Sequence, residues 1–279
     1  MTKILYISDL LDHDILGGGE LNDAELCTQL QNKKLTVDRK RSHKVTLDDC
    51  KKYDFFIISN FLNLNLEVFI NIRDNLKYII YEHDHKYVRT RNPAMYENYK
   101  VPSEHIVNKD FYENAKMVFC QTSFHKDIIT KNISINNVYN VSGNLWPDDI
   151  LEFLKSLSTN DKEDKISILQ STTAHKNTQQ CVFYCQNKNL EYELVSSGEY
   201  RNFLEKLSKN QKFMFLPKTP ETLSRVTVEA RMLNVSTITN KNVGACYEDW
   251  FSLKGNDLIQ FMYNKKQEVI DKVIEIINE

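Results

Sequence analysis

Residues 217–233 read PKTPETLSRVTVEARML, and the placement of their two glutamates decides how the chain is understood. Leu223, Val226, Ala230 and Leu233 recur at helical spacing, so a helix covers about 223–233. Its start has two solutions. With Thr219 as N-cap and Pro220 at the first position, Glu221 is a first-turn acid and Glu229 pairs with Arg225 one turn away. With a start near Ser224, Glu221 stands in the turn after a strand, and the first helical amides face an anion. A carboxylate accepts hydrogen bonds from paired hydroxyls, so Glu221 and Glu229 then suit sugar rings on the two sides of a diphosphate.

The strand before this stretch, KFMFLP (212–217), is one of a series of short and nearly continuous apolar runs. The others are KILYIS (3–8), YDFFIIS (53–59), LKYIIYE (76–82), KMVFCQ (116–121), VYNVS (138–142), ISILQ (166–170), YELVSS (192–197) and VSTITN (235–240). Such runs are strands covered on both faces, and helical patterns such as 20–31 and 124–131 lie between them. The alternation predicts an α/β fold of doubly wound parallel sheets. It pauses at SGNLWPDD (142–149), which divides the chain into two Rossmann-like domains facing a cleft, 1–145 and 146–264. An amphipathic helix, 265–279, closes the chain.

The composition, 41% hydrophobic and 27% charged over 279 residues, is that of a soluble globular protein. No run reaches membrane-span length, and the N-terminus lacks a signal-peptide core. Six cysteines without a CxxC pair are expected to be reduced, which fits a cytoplasmic protein. A net charge of −2 gives no bulk attraction to nucleic acid, although basic clusters occur at 33–44 and 85–93.

Ligands of open α/β sheets bind at the carboxyl ends of strands. After the first strand, Gly17, Gly18 and Gly19 precede a helix expected to start near Glu20; they form either a ligand loop with positive φ or a flexible turn. They match neither GxGxxG nor a P-loop. His83 and His85 project the same way from an extended chain, as a polar site cluster, a structural hydrogen-bond pair or a metal pair; no third ligand has metal-site spacing. Asp12 and Asp14 form a D-x-D, a pattern common by chance. Lys176 follows a strand of the second half, as a phosphate partner or an ordinary surface lysine.

The spacing E-x7-E from Glu221 to Glu229 resembles the signature of retaining glycosyltransferases of the GT-B fold, which include glycogen synthases, sucrose-phosphate synthases and bacterial mannosyltransferases. GGGE (17–20), HKN (175–177) and NVGACYE (242–248) are similar to further stations of that family, in the same order. The resemblance implies that Glu229 holds the nucleotide ribose, Glu221 the transferred sugar and Lys176 the diphosphate. It places Gly17, Gly18 and Gly19 against the diphosphate, Leu223, Ser224 and Arg225 at the donor-facing helix start, and His83 beside the sugar. It also implies two domains that close on the donor, a C-terminal helix returning to the first domain, retention of anomeric configuration, and no metal or cofactor beyond a UDP- or GDP-sugar. Two residues depart from the pattern: Gln170 stands where the family has an arginine, leaving Arg225 to supply that charge, and Asn177 replaces the glycine after the lysine.

The acceptor is a glycan, a lipid, a small molecule or double-stranded DNA. Compact phage transferases similar to this chain glycosylate hydroxymethylated pyrimidines; on that pattern Asp84, His85, Lys86, Arg89 and Arg91 contact the acceptor. A non-catalytic sugar-nucleotide or nucleic-acid binder and an epimerase of the same fold are the rivals. Nothing in the sequence sets the oligomeric state.

Overall fold

Every strand of the computed structural model, which describes residues 2–14, 17–196 and 198–279, pairs in parallel within one of two sheets. The chain divides into two units. One runs to Leu145 and takes in Lys265–Glu279; the other spans Trp146–Asn264.

The first unit contains β1 (Lys3–Ser8), α1 (Gly18–Asn32), β2 (Thr36–Arg41), α2 (Leu47–Cys50), β3 (Phe55–Ile58), α3 (Leu66–Asn75), β4 (Tyr78–Tyr81), α4 (Lys109–Glu113), β5 (Met117–Cys120), α5 (Ser123–Asn132) and β6 (Val138–Asn140). Its sheet order is β2-β1-β3-β4-β5-β6. Side chains alternate across a strand, so Leu5, Ile7, Phe56, Ile58 and Ile80 form a core on one face, with Phe111 and Ile129. Ile4, Tyr6, Phe55, Ile57, Tyr81 and Phe119 form the core of the other face. There they meet Leu26 and Leu30 of α1 and Val269, Ile270, Val273, Ile276 and Ile277 near the chain's end.

The second unit contains α6 (Asp148–Ser158), β7 (Glu163–Gln170), α7 (Thr178–Asn187), β8 (Tyr192–Ser196), α8 (Tyr200–Ser208), β9 (Asn210–Phe215), α9 (Arg225–Met232) and β10 (Ser236–Thr239), in the sheet order β10-β9-β7-β8. Ser197, at the end of the expected 192–197 strand, lies outside the described residues. The last helix, α10, begins at Gly255 rather than 265 and runs to Asn278. Leu258, Ile259 and Met262 of its first turns belong to the core of the second unit, which is why polar residues near its start did not end it.

One strand was not legible as such. TVDRKR forms β2 at a sheet edge, and its basic residues are ion-paired: Arg39 with Asp12 at 2.6 Å, Arg41 with Asp14, Lys40 with Asp49 at 2.5 Å. The D-x-D thus neutralises Arg39 and Arg41 of the basic cluster at 33–44. All six cysteines are free. Among the described residues no helix is long and apolar enough to cross a membrane.

Candidate functional site

In the second sheet β7 is flanked by β8 on one side and β9 on the other, so the strand order reverses between β7 and β9. The turns leaving these two strands carry Lys176 and Glu221. The structure brings the pair together: Lys176 Nζ lies 2.9 Å from Oε1 and 3.1 Å from Oε2 of Glu221. The ammonium also stands 5.6 Å from the centroid of the Phe215 ring, at the end of β9. Both side chains are partly open to solvent, at 29% for Lys176 and 16% for Glu221.

The backbone of Glu221 is fixed from 242–245. Its N–H donates to Asn242 O (2.7 Å), and its carbonyl accepts from Gly244 N (2.9 Å); Leu223 O accepts from Ala245 N (3.0 Å). The NVGACYE segment is therefore the clamp on the Glu221 turn. Helix α9 starts at Arg225, after a left-handed Ser224 (φ 74°), so Glu221 lies outside it and no continuous helix begins at Pro220. The first turn of α9 carries the positive end of its dipole, with the Thr227 and Val228 amides on Ser224 O (3.0 and 3.3 Å).

Glu229 is buried one turn further on, at 2% exposure. Its Oε1 accepts from Trp146 Nε1 (3.0 Å), Tyr200 Oη (2.5 Å) and Arg225 Nε (2.9 Å). The Arg225 guanidinium lies 4.4 Å from the centroid of the Trp146 ring and 5.9 Å from that of Tyr200. The plain i,i+4 pair therefore exists together with the late helix start. Arg225 is buried on Glu229 rather than displayed as a replacement for the arginine that Gln170 lacks. Burial pushes the Tyr200 phenol well above its ordinary range, so it donates as a neutral hydroxyl. Tyr200 and Trp146 were missed as site residues; Tyr200 opens the helix after β8, a strand-end position, and that was the available signal.

Asn177 explains its own departure from glycine. It adopts a left-handed conformation (φ 62°, ψ 33°) between Lys176 and α7, and its Nδ2 donates to Leu216 O at 2.7 Å. Among side-chain-bearing residues asparagine tolerates this conformation best.

In the first unit Gly17 is an extended N-cap (φ −92°), and Gly18 and Gly19 are already helical, so the glycines are not a positive-φ loop. Close approach is the reason for Gly19: a Cβ there would sit 3.3 Å from His83 Cγ. His83 follows β4. Its Nε2 lies 2.5 Å from Asp23 Oδ1 and its Nδ1 2.6 Å from the Gln121 side-chain nitrogen. Burial opposes ionisation of Asp23, but the His83 charge and hydrogen bonds from His83, Ser59 and Tyr6 outweigh it and hold the carboxyl below its ordinary value. Asp23 and Gln121 were not foreseen. Nearby Glu20 has its carboxyl raised by burial.

The acceptor set needs correction at two positions. Lys86 is buried, with Nζ 2.5 Å from Glu82 Oε1 and 2.8 Å from Asp84 Oδ1, and Tyr112 Oη donates to the other Glu82 oxygen. His85 is buried as well, its Nδ1 2.9 Å from Tyr87 Oη, and burial pushes its pKa down to about 3. Neither contacts solvent enough to meet a phosphate, and His83 and His85 face different partners. Asp84 is half-buried and pairs with Lys86 and Arg91; Arg89 and Arg91 are exposed.

No protein-family model and no curated protein sequence matches the chain. Solved structures do. Alr3699/HepE of Anabaena in complex with UDP and glucose superposes with a TM-score of 0.55 at 12% identity, over 98% of this chain and 91% of that one. Sucrose-phosphate synthase of Thermosynechococcus elongatus gives 0.63 at 10% identity, over 88% and 82%. An α-glucosyltransferase in complex with UDP and a 13-mer DNA containing an HMU base gives 0.51 at 12%, over 99% and 95%. The chain has the fold of these GT-B glycosyltransferases.

Proposed function

We propose that the protein is a glycosyltransferase that moves a sugar from a UDP- or GDP-sugar to a hydroxyl acceptor, with retention and without a metal ion. The observation that carries this proposal is the Lys176–Glu221 pair at the reversal point of the second sheet, beside the start of α9. There a phosphate partner and a hydroxyl acceptor stand side by side. The superposed enzymes crystallised with UDP or with UDP and glucose support a uridine nucleotide as the first donor to try.

In this assignment Lys176 and the α9 amides oppose the charge that builds on the leaving diphosphate, and Glu221 accepts from sugar hydroxyls. Glu229, buried and held on Oε1 by three donors, is assigned to the ribose by the E-x7-E resemblance. In the first unit, His83 is oriented by Asp23 and Gln121. Retention follows the E-x7-E pattern. The metal-free proposal rests on Lys176 supplying the neutralising charge, and loss of activity with a chelator, restored by manganese, refutes it.

One surface favours DNA as an acceptor. Arg89, Arg91 and Lys100 are exposed, together with Glu97 and Glu104, on the segment between Val88 and Ile106, which an antiparallel bridge closes at its base, and Arg91 pairs with Asp84. The α-glucosyltransferase solved with HMU-containing DNA supports the same choice. Binding to hydroxymethylcytosine-containing duplex, weakened by salt, is then expected.

The test is nucleotide release from a panel of UDP- and GDP-sugars, with and without acceptors, for the wild type and Glu221→Ala. Release that needs an acceptor and collapses in the variant is expected. No release from any donor favours a binding module, and release without transfer to any acceptor favours an epimerase.

A further inference from the structure

Lys176, the proposed phosphate partner, is engaged by a carboxylate. Lys176 meets both oxygens of Glu221, at 2.9 and 3.1 Å, so a diphosphate entering the site competes with a carboxylate for the ammonium. Glu221 cannot follow by moving its backbone, which Asn242 and Gly244 hold on both sides. Lys176 has a second contact, the Phe215 ring at 5.6 Å. What becomes of Glu221 then depends on the ligand. A sugar attached to the diphosphate offers hydroxyl donors to the released carboxylate. A free nucleoside diphosphate offers none, and its terminal phosphate brings additional negative charge close to Glu221.

From this geometry we infer that Glu221 is a specificity residue that discriminates against the free nucleoside diphosphate, by competing with it for Lys176 and repelling its terminal phosphate. The inference rests on the donor-site assignment above. It gives Glu221 a role beyond contact with the sugar: the same carboxylate that receives the donor's hydroxyls weakens the product after the sugar has left. Partial exposure of the pair screens the effect, so the competition is set near tenfold in affinity, about 1.4 kcal/mol, rather than at the value of a buried pair.

Calorimetric titration with UDP and with UDP-glucose, in the absence of acceptor, tests this. Glu221→Gln keeps the side-chain volume and removes the charge. It is expected to bind UDP about tenfold more tightly than the wild type, while UDP-glucose gains nothing or weakens. Glu221→Ala is expected to give a similar gain for UDP, which guards against a peculiarity of glutamine. UDP bound equally by wild type and both variants overturns the inference while leaving the donor site in place. If the wild type binds neither UDP nor GDP nor their sugars, the donor-site assignment itself falls, and the inference with it.

Discussion

Replacing Asn177 tests whether the chain's departure from glycine beside Lys176 is a conformational substitution. The residue sits at φ 62°, ψ 33°, where an alanine costs about 1–2 kcal/mol. Alanine also loses the bond from Nδ2 to Leu216 O (2.7 Å), worth about 1 kcal/mol. Asn177→Ala is therefore expected to destabilise the second unit by about 2–3 kcal/mol. Asn177→Gly loses the same bond and adds freedom to the unfolded chain but removes the strain, leaving a net loss of about 1 kcal/mol. The assay is urea unfolding followed by tryptophan fluorescence, because both tryptophans, Trp146 and Trp250, are buried in the second unit. UDP affinity is measured in parallel, and is expected to fall in the alanine variant and hold in the glycine variant. An alanine variant as stable as wild type, or a glycine variant less stable than the alanine one, refutes the reasoning.

Other perturbations are specific to single contacts. Lys266 is fully buried with Glu25 at 3.0 Å, so Lys266→Met strands a carboxylate and is expected to cost about 3–5 kcal/mol in urea unfolding, with much of it recovered by adding Glu25→Leu. Lys86→Met leaves Glu82 buried without its cation and is expected to lower the melting temperature clearly, whereas exposed Arg91→Ala changes stability by less than about 1 kcal/mol; the reverse order contradicts the placement of Lys86 in the core. The Asp23 carboxyl is held below its ordinary value, so its contribution is fully present above the unfolded carboxylate pKa and is lost as pH falls through the folded one. Wild type is therefore expected to lose stability below about pH 4 more steeply than Asp23→Asn, read from melting temperature against pH.

The strands covered on both faces were legible because a continuous apolar run too short for a buried helix fits little but a buried strand; β1 was read to the residue. The edge strand β2 was not, because one solvated side and paired charges make its sequence look like a basic loop. Helix α1 was found from its leucines, yet Asn22, Asp23 and Glu25 are also buried on it. Each has a partner distant in sequence: Leu145 N–H on Asn22 Oδ1, His83 on Asp23, Lys266 on Glu25. Local periodicity carries no information about such partners, and the same blindness hid Lys86 behind Glu82 and Tyr112. In the second unit the E-x7-E spacing located Glu221 and Glu229, while Trp146 and Tyr200, which hold Glu229, come from other elements and became visible only in three dimensions.

The central claim, that a nucleoside diphosphate binds where β7 and β9 part, is tested most directly by hydrogen exchange with and without saturating UDP. Protection is expected to concentrate at 173–178 and 219–229, around Lys176, Glu221 and the start of α9, and to vanish in Lys176→Met. Protection confined to other segments, or unchanged in Lys176→Met, contradicts it.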